Sequence, residues 1–314
     1  MFQLPFTVKK SVVIHATPQK IFETLMDFST WGFWSPWICQ EPECPVEIHG
    51  KPGSLGHSQT WNGQRIGSGN MTLIQIEKNT SLEYDLNFLS PWKSHSFTNF
   101  FIEETNEGSI VTWSMKGSLP IFLFFLKKMM SAWVGSDYSR GLSMLKDFIE
   151  HGKVHSKTSL HGLSLKNGFE GYGFRRKCSF SDLGPLMSQD FQDLQKKIQN
   201  SELPKPDTFF SVYHTYDFIT EICDYTAAVG YTNKLESHPA DLECISYPSH
   251  QTLSATHIGE YKHLGNLWST VIGAQRSQKL KKARSQNMYE IYLNMPGDVP
   301  NEELLVQAHL PLKP

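Results

Sequence analysis

Cysteine is scarce in this chain and odd in number, five in 314 residues, which argues against a disulfide framework. Cys39 and Cys44 lie close together, but no second cysteine or Cys/His pair completes zinc-site spacing around them, so no metal is expected. Long apolar runs are lacking as well. The longest, Ile121 to Leu126, stops at Lys127 and Lys128, far short of the roughly 20 residues that cross a bilayer. Met1 to Lys10 lacks the charged segment, apolar run and small-residue cleavage site of a signal peptide. Neither sign of charge dominates: 29 Lys and Arg against 31 Asp and Glu leave a net charge of −2, which is no footprint for nucleic acid. The densest basic cluster, Lys279 to Arg284, reads as a solvated helix end. The expectation is a soluble, cytoplasmic chain without an integral membrane segment, long enough for two domains.

What is present begins with a β-prone run at residues 6–16, followed by Thr17 and Pro18, a helix N-cap and first-turn pair. Gln19 to Phe28 sets Ile21, Phe22, Leu25, Met26 and Phe28 on one side of a short helix. Three tryptophans follow, Trp31, Trp34 and Trp37. From Val46 to Leu119, turn signals such as Asn62-Gly63 recur at hairpin intervals and predict an antiparallel meander. A helical pattern from about Ile121 to His151 closes this half, with Gly135 and Gly141 marking a kink or break. Residues 152–168, rich in Ser, Gly, Lys and His and poor in periodicity, read as a linker. His151, His155 and His161 have no carboxylate or cysteine with them to suggest a metal tract.

Residues 169–314 repeat the order strand, helix, strand, strand. The first unit has Phe169 to Cys178, a helix capped at Ser181-Asp182 and striped by Leu183, Leu186, Met187, Phe191, Leu194 and Ile198, then Thr208 to Tyr216 and Tyr225 to Tyr231. The second has Gln251 to Ile258, a helix with Leu264, Leu267, Trp268, Val271 and Ile272 on one face, then Met288 to Leu293 and Leu304 to Leu310. Laid over each other, the units bring Tyr213 near the place of Tyr292. Side by side they predict a pseudo-twofold α+β domain, both helices on one face and a groove along the pseudo-axis. Strand alternation puts Glu290 and Tyr292 on one face and Tyr289 and Ile291 on the other. A carboxylate on so apolar a strand either sits on the wet side of the sheet or is buried and needs a cation or hydrogen bonds.

Two resemblances sharpen this reading. The stretches ATPQKIF (16–22), WSPW (34–37), GSGNM (67–71), VTW (111–113) and GLSMLK (141–146) resemble the START/Bet v 1 superfamily, in its polyketide cyclase/dehydrase-type (SRPBCC) branch. For residues 1–151 the resemblance implies a helix-grip fold, an antiparallel sheet curved around a long C-terminal helix. It further implies an apolar cavity for a lipophilic small molecule, and no defined reaction. Trp34, Trp61, Trp92, Trp113 and His57 are conceivable cavity residues, each with core packing as the competing reading. His57 and His95 stand at no spacing that ties them to a carboxylate as an acid/base pair.

In the second half, HIGEY (257–261) with Leu264, Leu267 and Trp268, then YEIYLN (289–294), VP (299–300) and LPL (310–312), are similar to the GyrI-like effector-binding domains over residues 169–314. That resemblance implies a small-molecule site with Glu290 as its central carboxylate, Tyr292 as aromatic neighbour and Trp268 as a wall. Tyr213 as the facing wall rests on the internal repeat alone. A carboxylate among aromatic faces suits a lipophilic molecule, and a cationic one in particular, through charge pairing and cation–π attraction. The leading expectation is binding or sequestration of such a molecule by tandem domains, without cofactor, metal or direct DNA contact, since the first half is too β-rich and too little basic for a DNA reader. The alternative is a hydrolase or cyclase acting on a small lipophilic compound with Glu290 as general base.

Overall fold

The computed structural model describes residues 3–237 and 239–313, with the side chains at 3, 119, 120, 122 and 123 left outside that description. It divides into two compact units, Met1–His155 and Ser156–Pro314. Each is built on one antiparallel sheet, so the architecture is α+β.

In the first unit, β1 (Gln3–Ile14) leads to α1 (Pro18–Leu25), where the Thr17 hydroxyl accepts the Lys20 amide as N-cap, and then to the short α2 (Trp31–Trp34). Six strands follow: β2 (Val46–His49), β3 (Ser58–Asn62), β4 (Ser68–Glu77), β5 (Ser81–Ser90), β6 (Ser94–Thr105) and β7 (Gly108–Pro120). They form the expected meander, closed by β1 beside β7 in the order β1-β7-β6-β5-β4-β3-β2. A 3-10 segment (Ile121–Leu126) then gives way to α3 (Lys127–His151), which packs on β1 and β7. The core is an aromatic nest in which Trp113 stacks on Tyr138 at 4.0 Å, with Trp31, Trp34 and Phe100 around it. Burying each such ring stabilises the fold by about 2–3 kcal/mol.

No break occurs in α3 at Gly135 or Gly141. A Cβ at Gly141 would stand 2.7 Å from the Trp113 ring and 3.0 Å from Pro36, so this glycine serves the approach of the helix to the nest and not a kink.

The second unit opens with β8 (Ser156–Lys166), then β9 (Phe169–Ser179), α4 (Phe180–Gln199), β10 (Thr208–Asp217), β11 (Ile222–Tyr231), β12 (Glu243–Tyr247), β13 (His250–Gly259), α5 (Leu264–Ser277), β14 (Met288–Tyr292) and β15 (Leu305–Pro311). The sheet order is β12-β9-β11-β10-β14-β15-β13-β8. Residues of α4 and α5 share one core on one sheet face; Phe210, Tyr247 and Tyr289 anchor a second cluster that excludes them.

Three expectations are corrected here. Most of the stretch read as linker is β8, an edge strand paired with β13. Its exposed positions alternate with half-buried ones, so half its residues are polar for the solvent and its text resembles a tether. The cap of α4 is Ser179, whose hydroxyl accepts the Asp182 amide, not Ser181-Asp182. The basic cluster from Lys279 lies beyond α5, which ends at Ser277.

Candidate functional site

The two middle strands of the second sheet, β10 and β14, pair antiparallel with Ser211 opposite Glu290, Phe209 opposite Tyr292 and Tyr213 opposite Met288. Pleating sends Ser211 and Tyr213 to the same face as Glu290 and Tyr292, the face that α4 and α5 cover. Glu290 is therefore buried, 1 % exposed, between two helices.

Every hydrogen bond to its carboxylate comes from a neutral group. On Oε2, Tyr213 donates its hydroxyl at 2.8 Å, Tyr292 at 2.9 Å and Ser211 at 3.5 Å. On Oε1, the Trp268 indole N–H donates at 2.5 Å from the second turn of α5. No lysine, arginine or histidine pairs with Glu290 among the described residues. Burial pushes its carboxyl above the ordinary 4.5, against the pull of the Tyr213, Trp268, Tyr292 and Ser211 hydrogen bonds. The Tyr213 and Tyr292 phenols are driven well above 10, chiefly by burial and then by the Glu290 charge, so both remain protonated donors. Aromatic and thioether surface encloses the group. Trp268 meets Tyr213 edge-on at 6.0 Å, Phe191 of α4 and Tyr261 lie against Tyr292 at 5.1 and 5.7 Å, and the Met187 sulfur lies 3.3 Å from the Tyr292 hydroxyl oxygen.

A neighbouring carboxylate shows what a compensated one looks like. Asp190, on the same α4, is fully buried but receives the Arg176 Nε at 2.6 Å and the Tyr225 hydroxyl at 2.8 Å. Glu290 has the hydroxyls and lacks the cation.

The four residues singled out from the sequence, Glu290, Tyr292, Trp268 and Tyr213, are thus one hydrogen-bonded cluster. Ser211 was missed. Its signal lay in the repeat: the offset that carries Tyr213 onto Tyr292 carries Ser211 onto Glu290.

The first unit holds a cavity of about 110 Å³ lined by Trp31, Trp37, Trp61, Trp113 and Tyr138, with Thr98 as a polar member. That is room for one small ring, near the ~150 Å³ that admits benzene. Thr98 accepts the Trp113 N–H at 2.8 Å and meets the Tyr138 hydroxyl at 3.0 Å. Of the conceivable cavity residues, Trp61 and Trp113 line it. Trp34 is buried in the aromatic nest, and Trp92 stands 64 % exposed outside. His57 is structural: its Nε2 accepts the Phe28 amide at 3.2 Å and its Nδ1 meets the His49 carbonyl at 2.9 Å. His95 does have a carboxylate partner, Asp85 across the β5–β6 pair, which sequence spacing did not reveal. Among the described residues no cluster of three His, Cys, Asp or Glu could hold a metal ion.

Comparison with known proteins places families on both units. Residues 5–150 match the family model described as polyketide cyclase/dehydrase and lipid transport, and residues 166–313 match that of the GyrI-like small molecule binding domain. The chain is a fusion of these two domain types. No curated protein matches it. Solved structures similar to it include protein MLL2253 from Mesorhizobium loti, 16 % identical, covering 48 % of this chain and 100 % of that one with a TM-score of 0.37. The Aha1 dimer from Colwellia psychrerythraea is 19 % identical, with 48 % and 99 % covered and a TM-score of 0.36.

Proposed function

We propose that the chain binds or sequesters small molecules through two tandem domains, the second of which takes a lipophilic cation on Glu290. The observation that carries this reading is a carboxylate removed from water and left without a countercharge. Burying a charge unpaired is costly, and folds retain such a cost where function uses it. A bound cation supplies the missing charge, and the rings of Tyr213, Trp268 and Tyr292 add cation–π attraction. Tyr213 and Trp268 are only half-buried, so parting them opens the way to the carboxylate.

The strand order supports a pseudo-twofold axis within the second sheet. Read outward from the β10–β14 pair, each side presents a third strand of its unit and then a first, β11 then β9 on one side and β15 then β13 on the other. Such an axis passes through the Ser211–Glu290 pair and sets Tyr213 and Tyr292 diagonally about it, each two residues further along its strand. In the first domain, a long helix on a curved meander with an aromatic cavity supports the helix-grip reading and a lipophilic guest of small size. A soluble, cytoplasmic protein with no DNA contact of its own completes the proposal.

The alternative, a hydrolase or cyclase with Glu290 as general base, draws on the upward shift of that carboxyl toward the pH at which a base works best. Titration of tetraphenylphosphonium and of the neutral triphenylphosphine oxide separates the two. Wild type binds the cation and Glu290→Gln binds it about 100-fold more weakly, a loss of about 2.7 kcal/mol, with the neutral compound little affected. Equal cation affinity in the two proteins removes Glu290 from the site. In the enzyme alternative a substrate still binds Glu290→Gln while its turnover stops.

A further inference from the structure

The first domain carries an apolar tip that neither cavity nor core accounts for. In the 3-10 segment between β7 and α3, Ile121, Phe124 and Phe125 are 53 %, 66 % and 63 % exposed. The β5–β6 turn exposes Leu89 and Trp92, at 54 % and 64 %. These two stretches share one end of the sheet. Phe97 pairs with Lys116, so β6 begins at Ser94 near where β7 ends, and the 3-10 segment starts directly after Pro120. Large apolar side chains gathered in solvent mark an interaction surface.

The charges around this tip state which partner fits. Lys93, Lys116 and Lys128 are exposed and Lys127 is half-buried, and none forms an ion pair among the described residues. Residues 3–22, 86–102 and 108–136, which supply this end of β1, β5, β6, β7 and the start of α3, contain no Asp or Glu. The carboxylates near this end are already engaged, Asp85 by His95, Glu41 by the Gln64, Arg65 and Ile66 amides and Glu43 by Arg65. Phenylalanine and tryptophan ringed by lysines, with the nearby carboxylates already paired, is the chemistry of an anionic lipid surface: rings enter the headgroup boundary and ammonium groups meet phosphates.

We infer that this tip docks the protein reversibly on an anionic bilayer. The inference is independent of Glu290. It is tested by co-sedimenting the full chain with phosphatidylcholine vesicles and with phosphatidylcholine–phosphatidylglycerol vesicles. The chain sediments with the anionic vesicles, and added salt weakens the binding. Phe124→Ser with Phe125→Ser lowers partitioning at least tenfold, and each of Lys127→Gln and Lys128→Gln lowers it about fivefold on anionic vesicles only. Because Phe124, Phe125 and Lys128 face solvent, the variants at those positions keep the wild-type melting temperature. Failure to sediment with either vesicle overturns the inference, as does unchanged partitioning of the phenylalanine variant. A wild-type dimer that the phenylalanine variant converts to monomer, seen by light scattering, also overturns it by assigning the tip to a second copy of the chain.

Discussion

Among the described residues each domain buries one glutamate, and the two are held by opposite means. Glu41 in the first domain accepts the backbone amides of Gln64, Arg65 and Ile66 at 2.8, 2.8 and 3.0 Å. Burial works to raise its pKa and is overcome by those three amides and by the Arg65 charge, which leave it below 4.5. Glu290 in the second domain receives only side-chain donors, and there burial wins and the carboxyl is raised. Backbone amides in a turn cannot leave without unfolding the turn, whereas hydroxyls and an indole swing away by rotating side-chain bonds. Glu41 is thereby a fastening, whereas the groups that hold Glu290 can move, as the proposed binding role requires.

The comparison is broken most forcefully at Glu41. Glu41→Ala leaves three amide donors without their acceptor and lowers the stability of the first domain by about 3 kcal/mol, read from its urea transition. A loss below about 0.5 kcal/mol contradicts its role as a fastening.

At Glu290 the sign reverses. Glu290→Gln retains shape, removes the uncompensated charge and raises the stability of the second domain by about 1 kcal/mol at pH 8, while abolishing tight cation binding. The pH dependence follows from the shift. A carboxyl raised in the folded state contributes stability that is full below 4.5 and is lost as pH rises through its folded pKa, so the advantage of Glu290→Gln grows from acid to alkaline pH. Glu41, lowered in the folded state, contributes stability present above 4.5 and lost as pH falls through its folded pKa. The comparison at Glu290 is made as a difference between variant and wild type, because burial also pushes His257 down to about 4 and His309 to about 3, and both destabilise the domain in acid.

The smallest effect belongs to a single donor. Trp268→Phe keeps the ring and removes one N–H from Oε1, which costs about 1 kcal/mol of ionised Glu290 and raises its pKa further. Cation affinity then falls by several-fold, measured by the same titration that compares Glu290→Gln. An unchanged affinity contradicts the place of the indole in the site.

Much of this site was legible because strands and helices write their faces into sequence. Alternation assigned Glu290 and Tyr292 to one side of β14 and helical spacing assigned Trp268 to the apolar face of α5, while their gathering into one pocket was implied only by the resemblance to GyrI-like domains. Tyr213 required the internal repeat, and Ser211 lay in that same alignment two residues earlier. What the sequence did not disclose depends on pairing between distant segments. The β8 edge strand gains its order from β13, and its own text is half polar. Gly141 of α3 is explained by Trp113 and Pro36, not by helix propensity. His95 finds Asp85 only because β5 and β6 align in register.

The central claim, that Glu290 is a buried carboxylate awaiting a cation, is tested most directly by carbon-13 NMR of glutamate-labelled protein, with the Glu290 carboxyl assigned by its absence from Glu290→Gln. The carboxyl titrates above 4.5 in the free protein, and its pKa falls when tetraphenylphosphonium binds, because the cation favours the ionised form. A carboxyl that titrates at or below 4.5, with no change on adding the cation, contradicts the account.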